Sequence, residues 1–218
     1  YYLYTENIKT LNLSLIKKRN KFIIIYRNNS NRKNISQLKK FSNECKKKSI
    51  KFYIANDINA VLKCKADGLY ISSYNKKHYN IIARKNFLDV IGSAHNVKEI
   101  HKKKRQGCKT IVLSRLFKTN YQNKKSYLGV VKFNLMAINF NEKFVPLGGI
   151  RYENLNSLKL VRTNSFAILS EFFLRLRSSK IFSGVSLKIF ISSIISQRTD
   201  VFMNLPYWNS CFFYVEPQ

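Results

Sequence analysis

Acidic residues are scarce in this chain. Only 11 Asp and Glu stand against 40 Lys and Arg in 218 residues, a formal charge of +29, and such a balance draws a protein toward nucleic acid or an anionic membrane face. The basic runs Lys46-Lys47-Lys48 and Lys102 to Arg105 nevertheless fall on expected helices, and no nucleic-acid-binding motif accompanies them. The crowding of Lys, Asn and Ile over Ala and Gly also has the look of a compositionally biased genome. A nucleic-acid partner is therefore not expected. Cysteine is sparse as well: Cys45, Cys64, Cys108 and Cys211 lie far apart with no CxxC pair. That suggests neither a zinc site nor a disulfide frame and points to a reducing, cytoplasmic setting. No apolar run reaches the roughly 20 residues that cross a bilayer, so no membrane span is expected. The chain lacks a starting Met and opens on Tyr1 in what reads as a strand. No signal peptide is expected, and a few residues are taken to be missing in front.

What is present is core. With 45% hydrophobic residues the chain can bury a full interior, and one domain is the default at this length. Strand and helix signals alternate along it. Tyr1 to Thr5 is a short aromatic strand, and Ile8, Leu11 and Leu15 predict a helix over Asn7 to Asn20. Lys21 to Arg27 is a continuous β-branched run, the pattern of a strand buried on both faces, and a helix carries Ile35, Leu38, Phe41 and Cys45. The unit repeats. Further strands are expected at Lys51 to Ala55, Leu69 to Ser72, Phe87 to Ser93, Thr110 to Leu116, Phe144 to Leu147 and Phe166 to Leu169. The helices between them run through Ala60 to Cys64, around His78 to Arg84, from His95-Asn96 to Gly107, over Val130 to Ile138 and over Glu153 to Val161. Eight alternations with unalternating strands imply an α/β fold, a parallel sheet closed into a (β/α)₈ TIM barrel over residues 1–174, with an open doubly wound sheet as the alternative. Residues 175–218 break the pattern as an atypical C-terminal extension. A last helix is expected within Lys180 to Gln197, followed by a tail of unknown role.

In such a barrel the site is built where strands end. The residues there are Arg27, Asn56-Asp57, Ser72-Ser73, Ser93 with His95, Ser114 to Lys125, Gly148-Gly149 and Ser170-Glu171. The glycine pair closes the strand Phe144 to Leu147. Without Cβ atoms its N–H groups can approach an anion, and a helix from near Arg151 would aim its positive end at the same point. On that reading a side chain at 149 would block a ligand more than it disturbs the fold. The local alternatives stay open: a plain turn needing φ > 0 for the pair, a helix N-cap for Asp57 or His95, surface charge for Arg27. Together the set describes a site for a phosphorylated substrate, with a metal as an option.

Four short sequences in this order carry a resemblance: Ala55-Asn56-Asp57-Ile58, Ala66-Asp67-Gly68-Leu69, Ile91-Gly92-Ser93-Ala94-His95 and Gly148-Gly149-Ile150. With the loop from Leu113 to Gly129 they resemble the thiamine-phosphate synthase and thiazole tautomerase (TenI) family, in its divergent, shorter branch, over residues 1–173. The resemblance implies a barrel that joins hydroxymethylpyrimidine diphosphate to thiazole phosphate and releases diphosphate with Mg²⁺. It assigns Arg27 to the diphosphate, Asn56 to the pyrimidine or diphosphate, Asp57 to the metal and Ser93 to the pyrimidine. Thr119 and a lysine of Lys124-Lys125 would meet phosphates, and Gly148, Gly149 and Ser170 the thiazole phosphate. Ser93, His95 and Lys124 are the catalytic candidates, and Lys125 a substrate-binding one. The chain departs from the family at Ile58 (an arginine there), at Asn29 (a lysine) and at Asn75 (the second metal aspartate). The alternatives are a tautomerase with His95 as its acid/base, needing no Mg²⁺, and a non-catalytic phosphate-binding relative. A homo-oligomer is left open.

Overall fold

The computed structural model describes residues 1–16, 19–28, 34–79, 88–119, 126–151 and 154–169. Eight parallel strands close in sequence order: β1 (Tyr2–Thr5), β2 (Ile23–Tyr26), β3 (Lys51–Ala55), β4 (Gly68–Ile71), β5 (Asp89–Ala94), β6 (Thr110–Ser114), β7 (Lys143–Leu147) and β8 (Ala167–Leu169). The helices are α1 (Ile35–Lys47), α2 (Ile58–Cys64), α3 (Val97–Arg105), α4 (Gly129–Asn139) and the single turn α5 (Leu155–Leu158). The strands are apolar on both faces because each serves two interiors. Tyr2, Tyr4, Ile25, Tyr53, Tyr70, Ile91, Val112 and Val145 fill the inside of the barrel. Their neighbours Leu3, Ile24, Phe52, Ile54, Leu69, Ile111 and Phe144 face out, against Leu38, Phe41, Val61, Ile100 and Phe133 of the helices.

Pairing is uneven around the ring. β6 and β7 share five registered pairs, whereas among the described residues β7 meets β8 only through Leu147 and Ala167 and β8 meets β1 through three. Pro146, which has no N–H to give, suits a strand with so sparse a ladder on one side. At the floor Tyr53 passes across Gly68, where any Cβ would run into its ring, and donates its hydroxyl to Asp89 Oδ2 at 2.7 Å.

Two expected helices are corrected. Between Asn7 and Lys21 the described residues form three 3₁₀ turns, Ile8–Thr10, Leu13–Leu15 and Arg19–Lys21. The asparagines are the cause: Asn7 accepts from the N–H of Lys9 at 3.0 Å and Asn12 from that of Ser14 at 2.9 Å, local bonds that compete with the helical ladder. The helix expected over Glu153 to Val161 shrinks to α5. Asn154, at its start, uses its amide on the preceding loop, donating to Gly149 O at 2.6 Å and accepting from Arg151 N at 2.8 Å. So short a turn aims no appreciable dipole at the glycine pair. The helix expected around His78 to Arg84 falls largely outside the described residues, as do residues 175–218.

Candidate active site

Parallel strands put all their carboxyl ends at one mouth, and bonds link those ends from β3 to β7. Asn56, just past β3, takes a left-handed φ of 58° and turns its amide toward the end of β4. It accepts from Ser72 N at 2.9 Å and donates to Ser72 Oγ at 2.8 Å and Tyr74 Oη at 3.1 Å. Asn75 donates to Asn56 Oδ1 at 3.0 Å and to Tyr79 Oη at 3.2 Å, while its own oxygen accepts from Lys77 N at 2.9 Å. The polar atoms of both amides are thereby engaged with the protein itself.

The next link is His95, past β5. Its Nδ1 lies 3.0 Å from Ser114 O and 2.9 Å from Ser114 Oγ, and its Nε2 lies 3.2 Å from Ser73 Oγ. The ring therefore bridges the ends of β4 and β6. With Nδ1–H donating to the Ser114 carbonyl, Nε2 is the acceptor for the Ser73 hydroxyl. His95 does not cap α3: Asn96 does, accepting from Glu99 N at 3.0 Å, while the Glu99 carboxylate accepts from Asn96 Nδ2 at 3.1 Å and, one residue ahead of the cap, from His95 N at 2.9 Å. His95's imidazole is left for the rim.

Beyond β6, Arg115 donates from Nη2 to Ser126 O at 2.6 Å, and its Nη1 reaches Thr119 Oγ1 at 3.5 Å. Arg115 also lies beside Gly148, where a Cβ would come within 3.1 Å of its Cγ. Gly148 and Gly149 have φ of 96° and 69°, so the pair does sit in turn conformations that favour glycine. Gly149 is crowded by backbone: a Cβ there would run into Phe117 O and lie 2.6 Å from Lys118 O. Glycine at 149 is thus required by the approach of the β6 loop, which corrects the expectation that a side chain there would trouble a ligand far more than the fold.

On the other side of the mouth Arg27 comes directly after β2, its N–H on Thr5 O at 2.9 Å. Tyr4 and Tyr70 pack edge to face beneath, ring centroids 5.3 Å apart. Burial raises the Tyr70 phenol, countered in part by the hydroxyls of Ser93 and Tyr4 and by the charge of Arg27. Ser93 is buried on the inward side of β5. Asp57 is the N-cap of α2, its Oδ1 accepting from Ala60 N at 2.9 Å. As a metal holder it fits one role, that of a single carboxylate whose ion is completed by phosphate oxygens and water. Asn75 does not fit as a second ligand, because it turns its NH₂ toward Asn56 and its oxygen to Lys77. Among the described residues no three His, Cys, Asp or Glu side chains cluster as a metal group.

Arg27, Asn56, Asp57, Ser93, His95, Thr119, Gly148 and Gly149 therefore all lie at or just inside the mouth, whereas Lys124, Lys125 and Ser170 fall outside the described residues. Individual roles for Ser73, Ser114, Tyr70 and Tyr74 are not legible in the sequence. Position after a strand is a signal for the two serines and for Tyr74, which is exposed in the turn beyond β4; for Tyr70 there is none, since an aromatic in a strand reads as core.

Set against known proteins, residues 5–172 match the family model described as thiamine monophosphate synthase. A thiamine-phosphate synthase of Prochlorococcus marinus is 26% identical over 170 residues, 76% of this chain and 48% of the relative. Another, from P. marinus subsp. pastoris, is 29% identical over 127 residues, 58% of this chain and 36% of the relative. The chain thus spans about half the length, or less, of the curated relatives it matches. Among solved structures, thiamine phosphate pyrophosphorylase from Pyrococcus furiosus superposes with a TM-score of 0.59 at 16% identity, covering 78% of this chain and 84% of that one. The 3-hexulose-6-phosphate synthase of Salmonella typhimurium gives 0.60 at 12% identity, covering 90% and 98%. At those identities the likeness is one of fold.

Proposed function

Because the chain belongs to the thiamine monophosphate synthase family, we propose that it joins hydroxymethylpyrimidine diphosphate to thiazole phosphate. One observation carries the reading: the family match runs through every strand end from β2 to β8, and the arc of Asn56, His95 and Arg115 lies on those ends. In this reaction the bond between the pyrimidine methylene and the diphosphate oxygen breaks, and the thiazole nitrogen supplies the electron pair of the new C–N bond. Diphosphate leaves with the electrons of the broken bond. A protein speeds such a step by stabilising the charge on the leaving group and by aligning the two rings.

Arg27 binds the diphosphate end beside Asn56, whose amide is taken up by Ser72, Tyr74 and Asn75 and so shapes the rim rather than meeting the ligand. Ser93 supports the pyrimidine over the Tyr4 and Tyr70 rings. Thr119, Lys124 and Lys125 of the β6 loop bring hydroxyl and charge to the phosphates. Gly148, Gly149 and Ser170 receive the thiazole phosphate. Asp57 would hold Mg²⁺, which when bound supplies positive charge against the leaving diphosphate. With Ile58, Asn29 and Asn75 in place of two cations and a carboxylate, turnover is slow for the family. A cytoplasmic location agrees with free, buried Cys45, Cys64 and Cys108.

A second reading has one observation of its own. His95 is held by serines on both sides, which suits a proton carrier for thiazole tautomerisation. Incubating the chain with both substrates and Mg²⁺, and separately with a thiazole carboxylate phosphate, decides between them: thiamine phosphate and diphosphate in equal amounts support the synthase. No product, with isomerisation of a thiazole carboxylate phosphate, refutes it.

A further inference from the structure

Lys103 belongs by sequence to a run of surface lysines, yet its side chain is 1% exposed. From α3 its stem crosses β5 at Gly92, where a Cβ would lie 2.9 Å from Lys103 Cδ and 2.8 Å from Cys108 Sγ. Glycine keeps that passage open. The ammonium emerges behind the end of β4, and each of its three protons meets an oxygen: Ser72 O at 2.6 Å, Asn75 O at 3.0 Å and Gln106 Oε1 at 2.9 Å. Gln106, itself buried, donates in turn to Asn75 O at 3.0 Å and Lys77 O at 2.7 Å. Two side chains at the end of one helix thus grip one segment, residues 72–77.

Burying an ammonium is costly unless its bonds are made. Burial lowers the pKa of Lys103 to about 8, offset only in part by Cys108 and Glu99 and reinforced by Lys102. The return on that cost is the segment held, and this segment carries the polar network of the rim: Ser72 and Asn75 on Asn56, Ser73 on His95. We propose that Lys103 is a positioning residue of the site, with Gln106 as its second arm, fixing from behind the segment that orients Asn56 and His95. It acts through residues 72–77 and does not touch the substrate. The inference rests on the reading of the β3 to β5 rim as the pyrimidine diphosphate end.

Lys103→Met in the full chain keeps the stem and removes the ammonium, so that Ser72 O keeps only its bond from Asn75 N and Asn75 O only its bond from Gln106 Nε2. Amide hydrogen exchange at Ser73 to Lys77 is expected to quicken at least tenfold, with exchange around Gly148 unchanged. In the synthase assay, KM for the pyrimidine diphosphate is expected to rise about tenfold while KM for thiazole phosphate stays within twofold. Unaltered exchange at 73–77 overturns the inference whether or not the chain is active, and so does an equal rise in both KM values. Quickened exchange in a chain with no native synthase activity upholds the clamp and refutes only the reaction. Should Lys103→Met fail to fold, Gln106→Leu removes the second grip and is read the same way.

Discussion

Gly149→Ala tests how the β6 loop and the end of β7 depend on each other. At φ of 69° a residue with a Cβ loses about 1–2 kcal/mol from the left-handed backbone alone. Its Cβ would also press on the carbonyls of Phe117 and Lys118, and because backbone cannot rotate aside as a side chain does, the shift adds about 1–3 kcal/mol. The sum is about 2–5 kcal/mol, or roughly 5–15 °C of melting temperature for a domain of this size. Gly129→Ala is the control, since it has nearly the same φ of 70° with nothing within 4 Å of the added carbon; it should cost only the backbone part. Thermal melts of both variants, with thiazole phosphate binding measured by calorimetry, make the comparison. Gly149→Ala should lose stability and affinity together, because Phe117 and Lys118 must move. If it melts where Gly129→Ala melts, crowding by the β6 loop is not what keeps position 149 a glycine.

Asp57→Asn separates two roles of one residue. Asparagine caps a helix as well as aspartate does, so the melting temperature should hold while Mg²⁺-dependent product formation falls at least tenfold; retained Mg²⁺ dependence would remove Asp57 from the metal. His95→Ala should leave thiamine-phosphate formation within about tenfold of native if the synthase reading holds, because that bond exchange moves no proton; a native chain that isomerises the thiazole carboxylate phosphate, and loses this on His95→Ala with native folding, would favour the tautomerase. Alkaline stability gives a fourth test. With Lys103 near pKa 8 in the fold against 10.5 ordinarily, the unfolded chain binds more protons between those values, so this residue's cost is full below pH 8 and fades as pH rises toward 10.5. Denaturant titrations should show the native chain gaining on Lys103→Met across that window. A constant difference would mean that the ammonium is not buried as described.

All eight strands were legible because each holds a compact, largely apolar run, most of them rich in β-branched and aromatic residues, and a chain that repeats such runs with helical spacers has few ways to close. The first helix was not, since Ile8, Leu11 and Leu15 have helical spacing while Asn7 and Asn12 write turns over it. The rim was legible as positions, because its residues come directly after strands. Its wiring was not: that Asn75 serves Asn56 and that His95 lies between two serines are facts of three dimensions. Lys103 reads as solvated although a faint signal exists, because Ile100 and Lys103 are three apart and so share one helical face.

The thin seam at β8 bears on how the barrel is made. During synthesis the first seven strands are complete once Leu147 has emerged, some twenty residues ahead of Ala167. In that interval β1 and β7 are both bare edges of an incomplete sheet, open to pairing with another nascent chain. Ring closure then depends on a strand of three residues, with one registered partner on β7 and three on β1. The last act of assembly is thus also, among the described residues, the least secured, and the hazard of mispairing is greatest while the residues between β7 and β8 are still leaving the ribosome.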